Sequence, residues 1–297
     1  MKFFLGIDGG GTKTVVAVSD ENGNIQMKKT GKSINFYSVG MDIARKNLGT
    51  VIDDICNELH AESFSGVFIG CSALDNEADA KLVSELTDGV INAEKIKIHS
   101  DVYIALKSVE DAECPCAAIC GTGSMAAALD KDGNTLIAGG WGHIIGDEGS
   151  AYAIALDSLK MCCGMSDKGI KTQLLKSAEK HFGISDFRKI IDIIYSSETT
   201  KDVVALFAEK VGDLASDGDA DAVGIIKNQA ELFADTVLTL VEKADCDIVG
   251  LFGSVFKHNK LFTDTFSEKL NKYYPQIKVK PADIPAEESA LKLAREL

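Results

Sequence analysis

Five short segments carry groups whose type and spacing could do chemistry. The first is Asp8-Gly9-Gly10-Gly11-Thr12-Lys13-Thr14. Consecutive glycines after an apolar run let a backbone approach an anion and direct several N–H groups at it. The spacing is neither GxxxxGK(S/T) nor GxGxxG, and a strand follows where both would need a helix, so those two nucleotide loops are excluded. Asp8 ends the run, placed to hold Mg2+ through water. A tight glycine turn with a capping Asp reads the same residues equally well.

The second segment, Gly121-Thr122-Gly123-Ser124, is a glycine turn of the same kind. Two such turns facing each other across a cleft would grip a polyphosphate from both sides. The third is Asp101, which follows Lys97-Ile98-His99-Ser100 and heads a helix, at the strand end where α/β sites are built. A carboxylate there can take the proton of a hydroxyl attacking phosphorus. Spacing alone favours the plainer reading, a helix N-cap. The fourth, Gly139 to Ser150, packs five glycines, the only tryptophan, His143 and two acids into twelve residues. It is too flexible for a core element and reads as a ligand-binding loop. No Ser or Cys nucleophile pattern accompanies His143, which makes it structural. The fifth, Gly253-Ser254, sits between a strand and a helix and suits either close approach of a flat ligand or a phosphate.

Two other clusters carry no chemistry on this reading. Asp213, Asp217, Asp219 and Asp221 lack the order and terminal Glu of a calcium loop and read as a solvated helix junction. The eight cysteines show no CxxC pair and no zinc-like spacing, as expected of reduced thiols in a cytoplasmic protein.

The elements that must position these segments alternate strand and helix, which predicts an α/β fold. Strands are expected at Phe3 to Asp8, Thr14 to Ser19, Gly66 to Gly70 and Lys95 to His99, with helices over Met41 to His60, Ala78 to Leu86 and Asp101 to about Glu110. The pattern then restarts with strands at Cys116 to Cys120 and Met125 to Leu129. A mainly helical stretch (150–244), a strand at Asp247 to Phe252, a helix at Asn259 to Lys272, a strand at Gln276 to Lys280 and a helix at Ala286 to Leu297 complete it. One offset of 110 residues maps Gly11-Thr12 onto Gly121-Thr122, Asp20 onto Asp130 and Gly23-Asn24 onto Gly133-Asn134. This is an internal duplication in which each half opens with a hairpin carrying a glycine turn. The expected domains are 1–114, with helix 286–297 packing back on it, and 115–285 with a helical insertion.

Composition bounds the partners. The 297 residues are 45% hydrophobic and 26% charged, with 31 Lys+Arg against 45 Asp+Glu, a net charge of −14. Length and low proline argue for two ordered domains. No basic cluster offers the counterion-releasing patch that nucleic acid or an anionic membrane needs. No apolar run is long enough to cross a bilayer, and Asp8 interrupts the apolar start, so no signal peptide is expected.

The duplicated glycine-turn hairpins, the segment GGWGHIIGDEGSAY and the late strand–Gly-Ser–helix together resemble the N-acetylglucosamine kinase family. This is part of the BadF/BadG/BcrA/BcrD group within the actin/hexokinase/Hsp70 superfamily. The resemblance spans nearly the whole chain and is most specific at 139–152. It implies two duplicated ribonuclease-H-like (actin-like ATPase) domains with an interdomain cleft, a homodimer, and transfer from Mg·ATP to the 6-hydroxyl of an amino sugar. By position it assigns Gly9, Gly10, Gly11 and Thr12 to one phosphate loop, with Asp8 near Mg2+, and Thr122, Gly123 and Ser124 to the other. It places Gly253 and Ser254 beside the adenosine, and makes Asp101 the catalytic base. Asn35, Phe36, Gly140, Trp141, Gly142 and Asp147 fall at the sugar. An aromatic at Phe36, where vertebrate members carry a polar residue, leaves N-acetylmuramic acid and glucosamine open beside N-acetylglucosamine. The runner-up within the superfamily is the ATPase activator of 2-hydroxyacyl-CoA dehydratases or benzoyl-CoA reductases, which holds an iron–sulfur cluster between subunits.

Overall fold

The computed structural model describes residues 2–297, which form two compact units. The first comprises the chain up to Asp111 together with Ala282–Leu297, and the second is Ala112–Pro281. The break falls at Asp111 rather than Cys114 because the N–H groups of Glu113 and Cys114 donate to the Asp247 carboxylate, at 3.1 and 3.0 Å, and so join the second unit.

In the first unit, β1 (Phe3–Gly9), β2 (Lys13–Asp20) and β3 (Ile25–Lys32) form an antiparallel meander. Strands β4 (Gly66–Cys71) and β5 (Ile96–Ser100) add in parallel on the other side of β1, giving the order β3-β2-β1-β4-β5. Helices α1 (Phe36–Val39), α2 (Met41–Leu59), α3 (Ala80–Thr87) and α4 (Asp101–Lys107) connect them. The alternation of the strands decides what covers each face. Leu5, Ile7, Val67 and Ile69, all fully buried, point into a core shared with Leu48, Ile52 and Ile55 of α2.

The second unit repeats the plan. Strands β6 (Pro115–Cys120), β7 (Ser124–Leu129) and β8 (Thr135–Gly139) form the meander, and β9 (Ile248–Phe252) and β10 (Lys278–Pro281) extend it in parallel, giving β10-β9-β6-β7-β8. Between β8 and β9 run α5 (Ala151–Asp167), α6 (Gln173–His181), α7 (Ile190–Ile194), α8 (Lys201–Ala205), α9 (Phe207–Ser216) and the long α10 (Ala220–Ala244). Helices α11 (Ser254–His258) and α12 (Lys260–Tyr273) lie between β9 and β10. In α10 a buried stripe of Ala222, Ile226, Ala230, Phe233, Val237 and Leu240 recurs every three or four residues. It packs on a sheet whose inner positions, Ala118, Ala126 and Ala128, are small enough to let the helix close in.

The duplication extends to single atoms. Asp20 Oδ1 accepts from the N–H groups of Asn22 and Asn24, both at 2.9 Å, and Asp130 Oδ1 accepts from those of Asp132 and Asn134 at 2.9 and 2.8 Å. In each copy the Asn amide returns to the same carboxylate. These bonds hold both Asp side chains below the usual carboxylate range.

The last helix, α13 (Ala286–Arg295), packs on the first sheet through its backbone, with Ala290 and Ala294 fully buried. A Cβ on Gly6 would lie 2.1 Å from the Leu291 nitrogen and 2.4 Å from the Glu287 carbonyl oxygen. Backbone cannot yield as a rotamer does, so Gly6→Ala should cost about 2–4 kcal/mol. A lower Tm, with earlier proteolytic release of the C-terminal segment, is the expected result. An unchanged melt would show that the helix seat is loose.

Candidate functional site

The site residues gather into two clusters, one on each unit. On the first, the parallel ladders align Asp8 with Gly70, Gly9 with Cys71, and Cys71 with Ser100. The carboxyl ends of β1, β4 and β5 therefore stand side by side, carrying Asp8 and the Gly9–Thr12 turn, Ser72, and Asp101. The missing side chain of Gly70 lets α4 settle here; a Cβ there would lie 2.4 Å from the Ile104 side chain and 3.3 Å from the Asp101 Cα.

Asp101 is not the helix cap. Ser100 fills that position, its hydroxyl accepting from the Tyr103 N–H at 3.2 Å. Burial raises the pKa of Asp101, and the nearby backbone N–H groups of Val102 and of Asp101 itself restrain the rise. Asp8, half-buried, is pushed up to about 7, first by burial, then by the charges of Asp101 and Glu287, with Lys13 opposing. Two carboxylates crowded this way are short of positive charge, which suits the group to a hydrated divalent cation held against Asp8.

Asn35 caps α1. Its Oδ1 accepts from the Ser38 N–H at 3.0 Å and its amide donates to the Ser72 hydroxyl at 3.0 Å. Its own N–H donates to the Ser33 hydroxyl, which in turn donates to the Gly10 carbonyl at 2.9 Å. Ser33 and Ser72 thus tie Asn35 to the glycine turn and to the end of β4. Phe36 is half-buried, part of its ring against the first core.

On the second unit the turn between β6 and β7 closes through the Gly121 N–H to the Gly123 carbonyl at 2.9 Å. The segment after β8 is laced to it. Gly140 N–H donates to Ser124 O at 3.2 Å, Ala151 N–H to Gly121 O at 2.8 Å, and Tyr152 N–H to Thr122 O at 3.3 Å. The Ser124 hydroxyl donates to Glu148 O at 2.7 Å, so this side chain shapes the turn. The Asp147 carboxylate, in a residue only 5% exposed, lies where a Cβ on Gly123 would be 2.8 Å away. Trp141 is 73% exposed, beside Gly140 and Gly142, which both have positive φ. His143 rests edge-on against Tyr152. Pairing of β6 with β9 brings Gly253-Ser254 next to this turn. Gly253, at φ 99°, presses against Cys120, whose carbonyl oxygen leaves no room for a side chain.

The other sequence clusters are structural. Asp219 caps α10 and Asp213 pairs with Lys210. Among the described residues no group of three His, Cys, Asp or Glu side chains is arranged to hold a metal ion. Six of the eight cysteines are buried. Burial pushes Cys71 up to about 11 and Cys162 to about 12, so these are inert thiols. Among the described residues no helix is long and apolar enough to cross a membrane.

Duplicated meander-plus-parallel sheets with glycine turns at the strand ends define the class: the α/β fold of sugar kinases and actin-like ATPases. The chain belongs to the BadF/BadG/BcrA/BcrD ATPase family, whose model matches residues 5–291. It is 28% identical over 286 residues to an N-acetylmuramic acid/N-acetylglucosamine kinase of Clostridium acetobutylicum, covering 94% of each chain. It is 32% identical over 213 residues to an N-acetyl-D-glucosamine kinase of Dictyostelium discoideum, covering 67% of this chain and 66% of that one. Among solved structures, a Streptomyces griseus ROK family glucokinase shares the fold with a TM-score of 0.63 at 16% identity, over 99% of this chain and 100% of that one. A Chromobacterium violaceum protein provisionally assigned as an N-acetylglucosamine kinase superposes with a TM-score of 0.75 at 20% identity, over 99% of both chains.

The raised Asp8 makes stability depend on pH. The folded chain retains a proton that the unfolded chain gives up near pH 4, so stability falls as pH rises from about 4 to about 7, and the full penalty applies above that. Asp8→Asn should therefore raise Tm at pH 8, by the equivalent of about 1–3 kcal/mol, and leave it unchanged near pH 4. Melting curves at the two pH values without nucleotide check this. Equal shifts at both would remove the buried charge as the cause.

Proposed function

We propose that the chain phosphorylates the 6-hydroxyl of an amino sugar, N-acetylglucosamine or N-acetylmuramic acid, using Mg·ATP. The observation that carries the reading is Asp101. It is half-buried at the carboxyl end of β5, and Ser100 relieves it of the capping role that an Asp at this point would otherwise serve. Its carboxylate is available to accept the proton of an attacking hydroxyl, and burial makes it a stronger base than an exposed Asp.

The remaining residues position and neutralise, which is most of what phosphoryl transfer asks of a protein. The backbones of the Gly9–Thr12 turn and of Thr122 and Gly123 offer N–H groups to phosphate oxygens, the Gly121 N–H being engaged with Gly123 O; Ser124 and Gly253-Ser254 complete the nucleotide side. Mg2+, when bound, neutralises phosphate charge, and Asp8 would hold it through water. Asn35, Gly140, Trp141, Gly142 and Asp147 are assigned to the sugar. Substrate choice follows from the relatives, one of which is named for both N-acetylmuramic acid and N-acetylglucosamine across 94% of the chain. The half-buried Phe36 supplies an apolar wall in place of a hydroxyl contact on one side of the sugar, which favours tolerance of a bulkier substituent there. The activator reading lacks support: a cluster shared between copies needs surface thiols, and Cys163 is the one exposed cysteine.

Coupled ADP release with N-acetylglucosamine, N-acetylmuramic acid, glucosamine and glucose tests the proposal. Turnover should require an amino sugar. Asp101→Asn should lower kcat by about 10²–10⁴ with little change in Tm. Sugar-independent ATP hydrolysis, or a variant as active as the parent, would overturn it.

A further inference from the structure

The sequence offers no reason to notice Gln229, a polar residue in the middle of α10. It is only 4% exposed, within the apolar stripe that packs on the second sheet. Its Oε1 accepts from the Gly149 N–H at 2.7 Å and its Nε2 donates to Oδ2 of Asp157 on α5. Gly149 is held on its other sides as well. The Cys120 thiol donates to its carbonyl at 3.1 Å, and a Cβ in its place would lie 2.5 Å from that of Phe233.

What Gly149 anchors gives the contact its meaning. The residues on either side of it bond to the turn between β6 and β7: Glu148 O to the Ser124 hydroxyl, Ala151 N–H to Gly121 O, and Tyr152 N–H to Thr122 O. Asp147 lies against Gly123. Residues 147–152 and 121–124 are therefore one hydrogen-bonded body, and Gln229 joins it to α10. The buried N–H needs an acceptor, and the Asp157 carboxylate, whose Oδ1 accepts from Lys160 Nζ at 3.1 Å, takes its second donor at Oδ2. A primary amide is the side chain that presents both ends at once.

We propose that Gln229 is a positioning residue for the phosphate-binding turn, acting through Gly149 and oriented by Asp157. The proposal deepens the kinase reading in assuming that this turn receives phosphate. A swapped pair tests it. In Gln229→Glu the glutamate can still accept from Gly149 but faces the Asp157 carboxylate. Adding Asp157→Asn restores a donor opposite it and recreates the pair with its roles exchanged.

Binding of Mg·ADP to the full chain, by titration calorimetry, should weaken about tenfold or more in Gln229→Glu and return to within about threefold of the parent in the double variant. Trp141, the only tryptophan, provides a second signal from the adjoining loop, whose Gly140 N–H bonds to Ser124 O: its acrylamide quenching should change in the single variant and return in the double. Circular dichroism confirms that each variant is folded. If Gln229→Glu does not fold, Asp157→Ala, at a half-buried position, should still weaken Mg·ADP binding severalfold. Parental affinity and quenching in a folded single variant, or a folded double variant no better than the single, would overturn the proposal. A parent that binds Mg·ADP but phosphorylates no amino sugar would overturn the kinase reading and leave this test intact. If the parent binds no Mg·ADP, the kinase reading fails and the Trp141 quenching series alone decides the role of Gln229.

Discussion

The structure depends on a parallel ladder at the centre of each unit, β1 with β4 and β6 with β9. Parallel pairing sets neighbouring carboxyl ends at one edge, and the antiparallel meander turns back at that same edge. A glycine turn and the ends of crossover strands are thereby brought together twice by one piece of topology. In the first unit the ladder continues to β5 and adds Asp101 beside Asp8; in the second the edge receives Gly253-Ser254 beside the Gly121 turn.

Convergence has an energetic cost in the first unit. Asp8 and Asp101 share a half-buried edge to which α13 adds Glu287, and Lys13 is the one opposing charge of weight at Asp8. Such a site is at odds with the fold around it unless positive charge reaches it, a common property of places where charge must be handled. The second unit shows the complementary strategy. Its turn and loop hold each other mainly by backbone bonds, with no comparable concentration of charge, so their shape is set by hydrogen-bond geometry.

The features that repeat were legible in the sequence. The 110-residue offset tied Asp20 to Asp130, and the structure shows the two carboxylates making the same bonds; the strands were readable because their apolar runs end at glycine turns. The two serine links were not. Ser33 and Ser72 are isolated hydroxyls in loops whose partners, Gly10 and Asn35, become neighbours when β1 and β4 pair. The Ser100-Asp101 dipeptide offers two residues that both cap helices well, and backbone direction at the end of β5 decides between them. Gln229 sits in an apolar periodicity that masks it, since its partners belong to a loop and to α5. The domain break was displaced from Cys114 to Asp111 by the side chain of Asp247, far away in sequence. Contacts between distant parts of the chain leave no local pattern to read.

The return of α13 to the first sheet also orders events during synthesis. Residues 112–281 are contiguous and can close as a unit once they have emerged. The first unit is complete only when Ala282–Leu297 has been made, so the half begun first is finished last. Until then the groove left by Gly6 and Gly66 has no helix to cover it, and α4 alone packs on that face of the sheet. Closure of the first unit during synthesis thus waits on Ala282–Leu297, made after the whole of the second unit.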